Sequence, residues 1–345
     1  MLCDGGSWQQ RQDGRRDTYD ACFAAADPTP FDSYARKYDC PRSRPTRRFT
    51  GCAHHVQQTT IVDAMRAADA RTLWFIGDSV LMQVAFVAGC KARLSEGGHG
   101  WHWTRPRWAS HFPKNENAAG GVNCAVSAAR RGAQICFLTA VGHHRSPTLV
   151  HALEMLTSLN LTRASDVAML TPGAWRVESA SQHAAIAAGL ARLVARAHPR
   201  LPRVLYQEPL AAHFPTEHGF WTSDLPLPTK CVPFGRPHPA PPPAHEAARQ
   251  ALLNPQPSLS SLEHVTPLPP SRFAMLEGAW AWSAAVAVDA HPGNVCREQE
   301  RYCTSDCTHY CVRSGVASAL VDALARRLSG EWRAGAHAQG QAVRF

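Results

Sequence analysis

The stretch Thr72-Leu73-Trp74-Phe75-Ile76-Gly77-Asp78-Ser79-Val80-Leu81-Met82-Gln83 decides the fold. Its first five residues form a short apolar run that stops at Gly77, the pattern of a buried strand. Beyond Ser79 the apolar positions change to helical spacing, with Val80, Val84 and Val87 on one side and Met82 and Phe86 nearby. Gly77-Asp78-Ser79 therefore falls where a strand becomes a helix. A serine there sits at the carboxyl end of a strand, where open α/β sheets build their sites. Its backbone N–H lies near a helix N-terminus, which suits a developing oxyanion. Against this stands a plainer reading, that Asp78 or Ser79 only caps the helix. Three residues recur easily by chance, so the tripeptide alone favours the cap.

Outward from this stretch, strands and helices alternate. Residues 61–70 read as a short helix before the first strand, and the helix after Ser79 runs to about Cys90. Gln134–Ala140, Asp166–Leu170, Val204–Gln207 and Ala284–Val288 read as further strands. Residues 147–159, 178–198 and 315–328 read as helices, the second closed by His198-Pro199. This order implies an α/β domain with a mainly parallel sheet and right-handed crossovers. Between them, residues 97–108 read as a loop rich in glycine, histidine and tryptophan. Its indoles, Trp101 and Trp103 among them, either stack on sugar rings or plug the edge of the core. Residues 1–60 read as an irregular extension tied by cysteines, 224–270 as a proline-dominated surface insertion or lid, and 331–345 as a frayed tail. The main α/β domain is thus expected over 61–330.

At 345 residues the chain can bury a sizeable core. Its net charge of +9 comes mainly from arginine. The cluster Arg42, Arg44, Arg47 and Arg48 has no interleaved aromatics and no nucleic-acid motif beside it, which argues against a nucleic-acid partner. The basic balance would suit an anionic glycan or an acidic cofactor. Twelve cysteines point to an oxidising compartment with several disulfides. Zinc is the weaker reading, because no CxxC pair occurs and three residues separate Cys303, Cys307 and Cys311 in turn. No signal peptide or membrane span is visible, and the secretory reading expects a leader or anchor upstream of Met1. No GxGxxG, GxxxxGK[ST] or GxSxG motif follows any strand.

A serine nucleophile needs a base, and the base needs an orienting acid. Ser305-Asp306-Cys307-Thr308-His309-Tyr310-Cys311 offers the pair. Asp306 and His309 lie three residues apart, so both side chains can face one side of a turn. The carboxylate can hold one imidazole nitrogen while the other faces a serine, and an ordinary histidine supplies a base at neutral pH. The plainer alternative is a surface histidine bonded to its neighbour.

With both halves in view, the sequence resembles the PC-esterase family, the trichome-birefringence-like polysaccharide O-acetyltransferases related to SGNH/GDSL hydrolases. Gly77-Asp78-Ser79 with Gln83 and Cys90 downstream resembles the family's first block. Asp306-Cys307-Thr308-His309-Tyr310-Cys311 resembles its D-C-x-H-[WY]-C block, Gly173-Ala174-Trp175 its N-x-G-x-W block, and His213-Phe214 its HF segment. The four occur in the family's order over roughly residues 70–330. The sequence departs from the pattern at Met82, where the family often has arginine, at Thr171 in place of asparagine, and at Ala174 in place of histidine.

The resemblance implies an SGNH-like three-layer α/β fold. It implies Ser79 as nucleophile, His309 as base and acid, and Asp306 as orienting acid. Gly77, Asp78 and Gly173 would support the oxyanion, and Trp175, His213, Gln83, Trp101 and Trp103 would contact substrate. Core packing explains Trp175 and Phe214 equally well. The implied activity is transfer of an acetyl group through a serine ester to a polysaccharide or oligosaccharide hydroxyl. It would take place in the Golgi lumen or outside the cell, with acetyl-CoA or another acetyl carrier as donor. No bound cofactor or metal is implied. An acetyl esterase with the same triad and a non-catalytic glycan-binding protein are the two alternatives.

Overall fold

The computed structural model describes residues 7–10, 47–50, 59–97, 100–112, 121–129, 132–141, 148–171, 198–217, 219–220, 224–226, 229–234, 272–277, 279–285, 291, 293–296, 303–311, 314–334 and 343–344, with isolated positions between 185 and 196 and between 243 and 250. In chain order the elements are β1 (Ser7–Gln10), β2 (Arg47–Thr50), α1 (Ile61–Ala67), β3 (Thr72–Gly77), α2 (Ser79–Ser95) and β4 (Trp101–Thr104). A 3₁₀ turn at Arg107–His111 follows, then β5 (Val122–Ser127), β6 (Gln134–Thr139), α3 (Leu149–Ser158), β7 (Val167–Leu170) and β8 (Arg203–Gln207). The last elements are β9 (Phe273–Glu277), α4 (Ala279–Ala284), β10 (Gly293–Cys296), β11 (Cys303–Asp306), α5 (Val316–Ala334) and β12 (Val343–Arg344).

The apolar run 72–76 becomes β3, the centre of the sheet. Side chains on a strand alternate between faces, and β3 buries both. Leu73 and Phe75 join one core with α1, α2 and α5. Trp74 and Ile76 join the opposite core with α3 and with Leu190 and Leu193. All four are at most 1% exposed, and burying a side chain of this size contributes about 1.5–3 kcal/mol. Two helical layers thus sandwich one sheet, the α/β arrangement that the alternation of elements predicts.

The sheet runs β12-β9-β8-β7-β3-β6-β5-β4. Pairing is parallel from β12 to β6 and antiparallel from β6 to β4. Its central parallel strands lie in the order β6-β3-β7-β8-β9. The chain therefore moves from β3 to one side and returns to the other. This places a topological switch point between β3 and β7, where open sheets form a crevice beyond the strands' carboxyl ends. Asp166 registers the opposite ends of the two strands. Its buried carboxylate accepts from the backbone N–H of Thr72 at 2.8 Å, Arg71 at 3.1 Å and Arg163 at 2.8 Å.

At the switch point Gly77 has no substitute. A Cβ built there would lie 2.8 Å from the Thr171 carbonyl oxygen and 3.1 Å from Leu81 Cδ2. The first of these is backbone and cannot step aside. Gly77→Ala should therefore cost about 1–3 kcal/mol, read as a lower urea midpoint at unchanged slope.

Several sequence expectations change. Ala284 ends helix α4, and residues 286–288 of the expected strand Ala284–Val288 lie outside the described residues. The strand beside β8 is Phe273–Glu277 instead, a short apolar run that follows the prolines of the insertion. The expected loop at 97–108 carries edge strand β4, paired with β5, which the sequence reading did not place. The short apolar-rich run Val122-Asn123-Cys124-Ala125-Val126 was the signal for β5. Cys124 and Cys136 are register partners on β5 and β6 and form a disulfide. Helix α5 continues to Ala334 and β12 pairs with β9, so part of the expected tail is ordered into the fold. Of the N-terminal extension, residues 7–10 and 47–50 form the antiparallel ribbon β1–β2.

Candidate active site

Asp78 is the N-cap of α2. Its backbone is extended (φ −91°, ψ −170°) and its Oδ1 accepts from the N–H of Val80 at 3.0 Å and of Leu81 at 3.2 Å. The capping reading of the tripeptide therefore holds for Asp78, which is fully buried. It also releases Ser79 from that duty. Ser79 is the first residue of the helix, half-buried, at the carboxyl end of the central strand.

The partner loop arrives from the far end of the chain. β10 and β11 form an antiparallel ribbon that ends at Asp306. There the chain turns sharply, because Asp306 Oδ1 accepts from the backbone N–H of His309 at 2.9 Å and of Thr308 at 3.3 Å. The same carboxylate receives the His309 ring: Nδ1 lies 2.9 Å from Oδ2 and 3.0 Å from Oδ1. His309 Nε2 lies 2.6 Å from Ser79 Oγ. A carboxylate only accepts, so the proton sits on Nδ1, and Nε2 is left to accept from the serine hydroxyl. A serine, an imidazole and a carboxylate thus form one hydrogen-bonded chain across 230 residues of sequence.

Further contacts hold this loop. Cys307 is joined to Cys231, which anchors the loop to the start of the proline-rich insertion. Cys307 O accepts from the N–H of His213 at 2.9 Å, and His213 O accepts from that of Val232 at 2.8 Å. Cys311 is also disulfide-bonded. The Tyr310 hydroxyl donates to the Ala211 carbonyl. A small apolar cluster of Ala211, Phe214, Phe220, Trp280 and Ala284 packs with Cys307.

Behind the loop lies a pair of fully buried histidines. His291 Nδ1 is 2.7 Å from the His309 carbonyl oxygen, and His291 Nε2 is 2.6 Å from His213 Nδ1. The carbonyl accepts, so His291 donates from Nδ1. Its Nε2 then accepts, and His213 donates from Nδ1. Burial, reinforced by the neighbouring His213, pushes His291 down to about 3. Asp306 and the His309 carbonyl oppose this fall, and His309 adds to it. A histidine neutral in the fold binds its proton only on unfolding. Stability should therefore be complete above about pH 6.5 and fall towards about pH 3, by up to ~1.4 kcal/mol per pH unit. Urea midpoints at about pH 7.5, 6 and 4.5 should show the slope, and His291→Asn should flatten it relative to wild type.

The other residues singled out from sequence are placed as follows. Gly173 and Trp175 lie outside the described residues. Thr171 is buried and donates its N–H to Ile76 O at 3.3 Å. Gln83 is buried, and both ends of its amide bond the Tyr310 backbone rather than facing a cleft. His213 is fully buried against His291 and Phe234. Trp101 is 4% exposed and donates to Glu96 Oε2 at 2.6 Å. Trp103 stacks on Phe86 and fills the space above Gly89. Both indoles lie on β4, three strand spacings from β3, about 14 Å across the sheet. Trp101 is buried and Trp103 half-buried at the sheet edge, and Gln83 and His213 are buried. His291 was missed because an isolated histidine before proline carries no spacing signal among 18 histidines.

Among the described residues no group of three or more His, Cys, Asp or Glu side chains is placed to hold a metal ion. Among them, too, no helix is long and apolar enough to cross a membrane. The chain matches no protein-family model and no characterised protein.

Proposed function

We propose that this chain is a serine acyltransferase of the SGNH type that moves an acetyl group onto a carbohydrate hydroxyl. The observation that carries the reading is the hydrogen-bonded chain Ser79 Oγ–His309–Asp306 at 2.6 and 2.9 Å, at the switch point of the sheet. His309 takes the Ser79 proton as Oγ attacks the acetyl carbonyl of the donor. It returns that proton to the donor's leaving group, and an acetyl-serine remains. A sugar hydroxyl then enters, loses its proton to His309, attacks the ester carbonyl and leaves as the acetylated product. Ser79 recovers its proton from His309. In each half the oxyanion is stabilised by the Ser79 N–H at the start of α2, with the Gly173 N–H as the proposed second donor.

The acceptor reading draws on the resemblance to polysaccharide O-acetyltransferases, and of the aromatics it keeps Trp175 as a cleft residue. The disulfides Cys124–Cys136 and Cys231–Cys307 fit a secreted or luminal setting. The test is acetate release from an acetyl donor with and without an oligosaccharide. Transfer predicts an acetylated sugar and acetate release that falls as acceptor rises. Acetate release indifferent to acceptor would assign the site to ester hydrolysis instead. No acetyl-serine and no turnover would leave a glycan-binding role.

A further inference from the structure

We infer that the peptide group after the catalytic histidine is held from both sides by Gln83 and His291, which act as positioning residues for His309. This rests on the reading of Ser79 and His309 as nucleophile and base. The His309–Tyr310 peptide presents its carbonyl oxygen to His291 Nδ1 at 2.7 Å and its N–H to Gln83 Oε1 at 3.2 Å. Gln83 Nε2 also donates to the next carbonyl, that of Tyr310, at 2.8 Å. Gln83 stands four residues beyond Ser79 on α2, on the same face of the helix. One helical turn therefore carries the nucleophile and the anchor for its base, so the spacing between them is fixed by helix geometry. His291 holds the other edge and is itself oriented by His213, and its ring packs on Tyr310 with centroids 4.4 Å apart. Gln83 and His291 are both buried, and their hydrogen bonds to this loop go to the backbone at His309 and Tyr310. They do not touch the reacting atoms.

Such a device acts on the 2.6 Å contact between His309 Nε2 and Ser79 Oγ. It should therefore show in the reactivity of Ser79 rather than in ligand affinity. Gln83→Met keeps side-chain length but makes neither bond. Its maximal rate of labelling by an alkyl fluorophosphonate should fall about tenfold to a hundredfold, with the half-saturating probe concentration unchanged. His291→Leu should behave alike. His291→Asn, whose amide donates from nearly the position of Nδ1, should recover to within about threefold of wild type. Labelling of Gln83→Met at the wild-type rate would overturn the inference, as would an Asn variant no better than Leu. If Gln83→Met does not fold, the His291 pair decides.

A second readout separates this inference from the functional one. The proton on His309 Nδ1, bonded to Asp306, should give a downfield NMR signal whether or not Ser79 reacts. If the wild type takes no label, the acyltransferase reading fails. Loss or upfield movement of this signal in folded Gln83→Met or His291→Leu would then still support the clamp, and an unmoved signal would overturn it.

Discussion

Ser79→Ala is expected to lower acetyl transfer by about 10⁴–10⁶-fold while leaving the fold in place. The helix N-terminus is capped by Asp78, not by Ser79, so α2 keeps its start. The change removes one hydroxyl and its bond to His309 Nε2 from a half-buried position. Stability should shift by less than about 1 kcal/mol. His309→Ala should lose a comparable factor, because a serine hydroxyl without its base is a weak nucleophile. The double variant should be no slower than either single one, since both remove the same step. Mass spectrometry of protein quenched with donor should find acetyl on Ser79 in the wild type and none in either variant. A Ser79→Ala protein that keeps a tenth of the wild-type rate would exclude a serine ester.

The fold was legible wherever one segment carried its own signal. The run 72–76 stops at a glycine and gives way to helical spacing, and this located the central strand, its turn and α2 without help from the rest of the chain. Phe273–Glu277 and Val122–Ser127 are just as strand-like, but their environment obscured them. The first follows a proline-rich stretch that reads as insertion. The second lies between polar runs and is completed by antiparallel partners that local periodicity does not identify. The Ala279–Ala284 run alternates tryptophan with small residues and fits either period, so tertiary packing decided it.

At the site, the distinction is between contacts encoded locally and contacts made by the fold. Asp306 and His309 are three residues apart, and their pairing follows from a turn that the sequence nearly spells out. Gln83 with Tyr310 spans 227 residues, and His213 with His291 spans 78. No pattern within a window reveals either, and a glutamine or histidine near a nucleophile then reads as a substrate contact. The structure gives Gln83 to the Tyr310 backbone and His213 to the His291 ring. The indoles of β4 show the same limit: a flat apolar ring has the same signature whether it meets a sugar or, like Trp103, the bare Cα of Gly89.

Asp306→Asn should lower the maximal rate by about 10³–10⁴-fold at neutral pH, with little change in half-saturation by donor. The loop should survive the change. An amide oxygen still accepts from the N–H groups of Thr308 and His309, as Oδ1 does now at 3.3 and 2.9 Å. What changes is the ring. The amide nitrogen facing His309 Nδ1 donates, which drives the imidazole proton to Nε2, and a protonated Nε2 cannot accept from Ser79. The loss is therefore of chemistry rather than of folding, and the acetyl-serine should form slowly but still form.

The wild-type carboxylate is secure against acid. Burial pushes Asp306 up, but the His309 charge and the hydrogen bonds from its ring and backbone outweigh burial and bring it to about 2. A carboxylate depressed in the fold contributes stability that is present above its unfolded value, about 3.9, and is lost as the pH falls towards about 2. Activity lost reversibly between about pH 4 and 7 in wild type therefore reports on a group other than Asp306. The Asn variant should be slow throughout that range. A variant within tenfold of wild type at neutral pH would show that Asp306 holds the turn and not the proton.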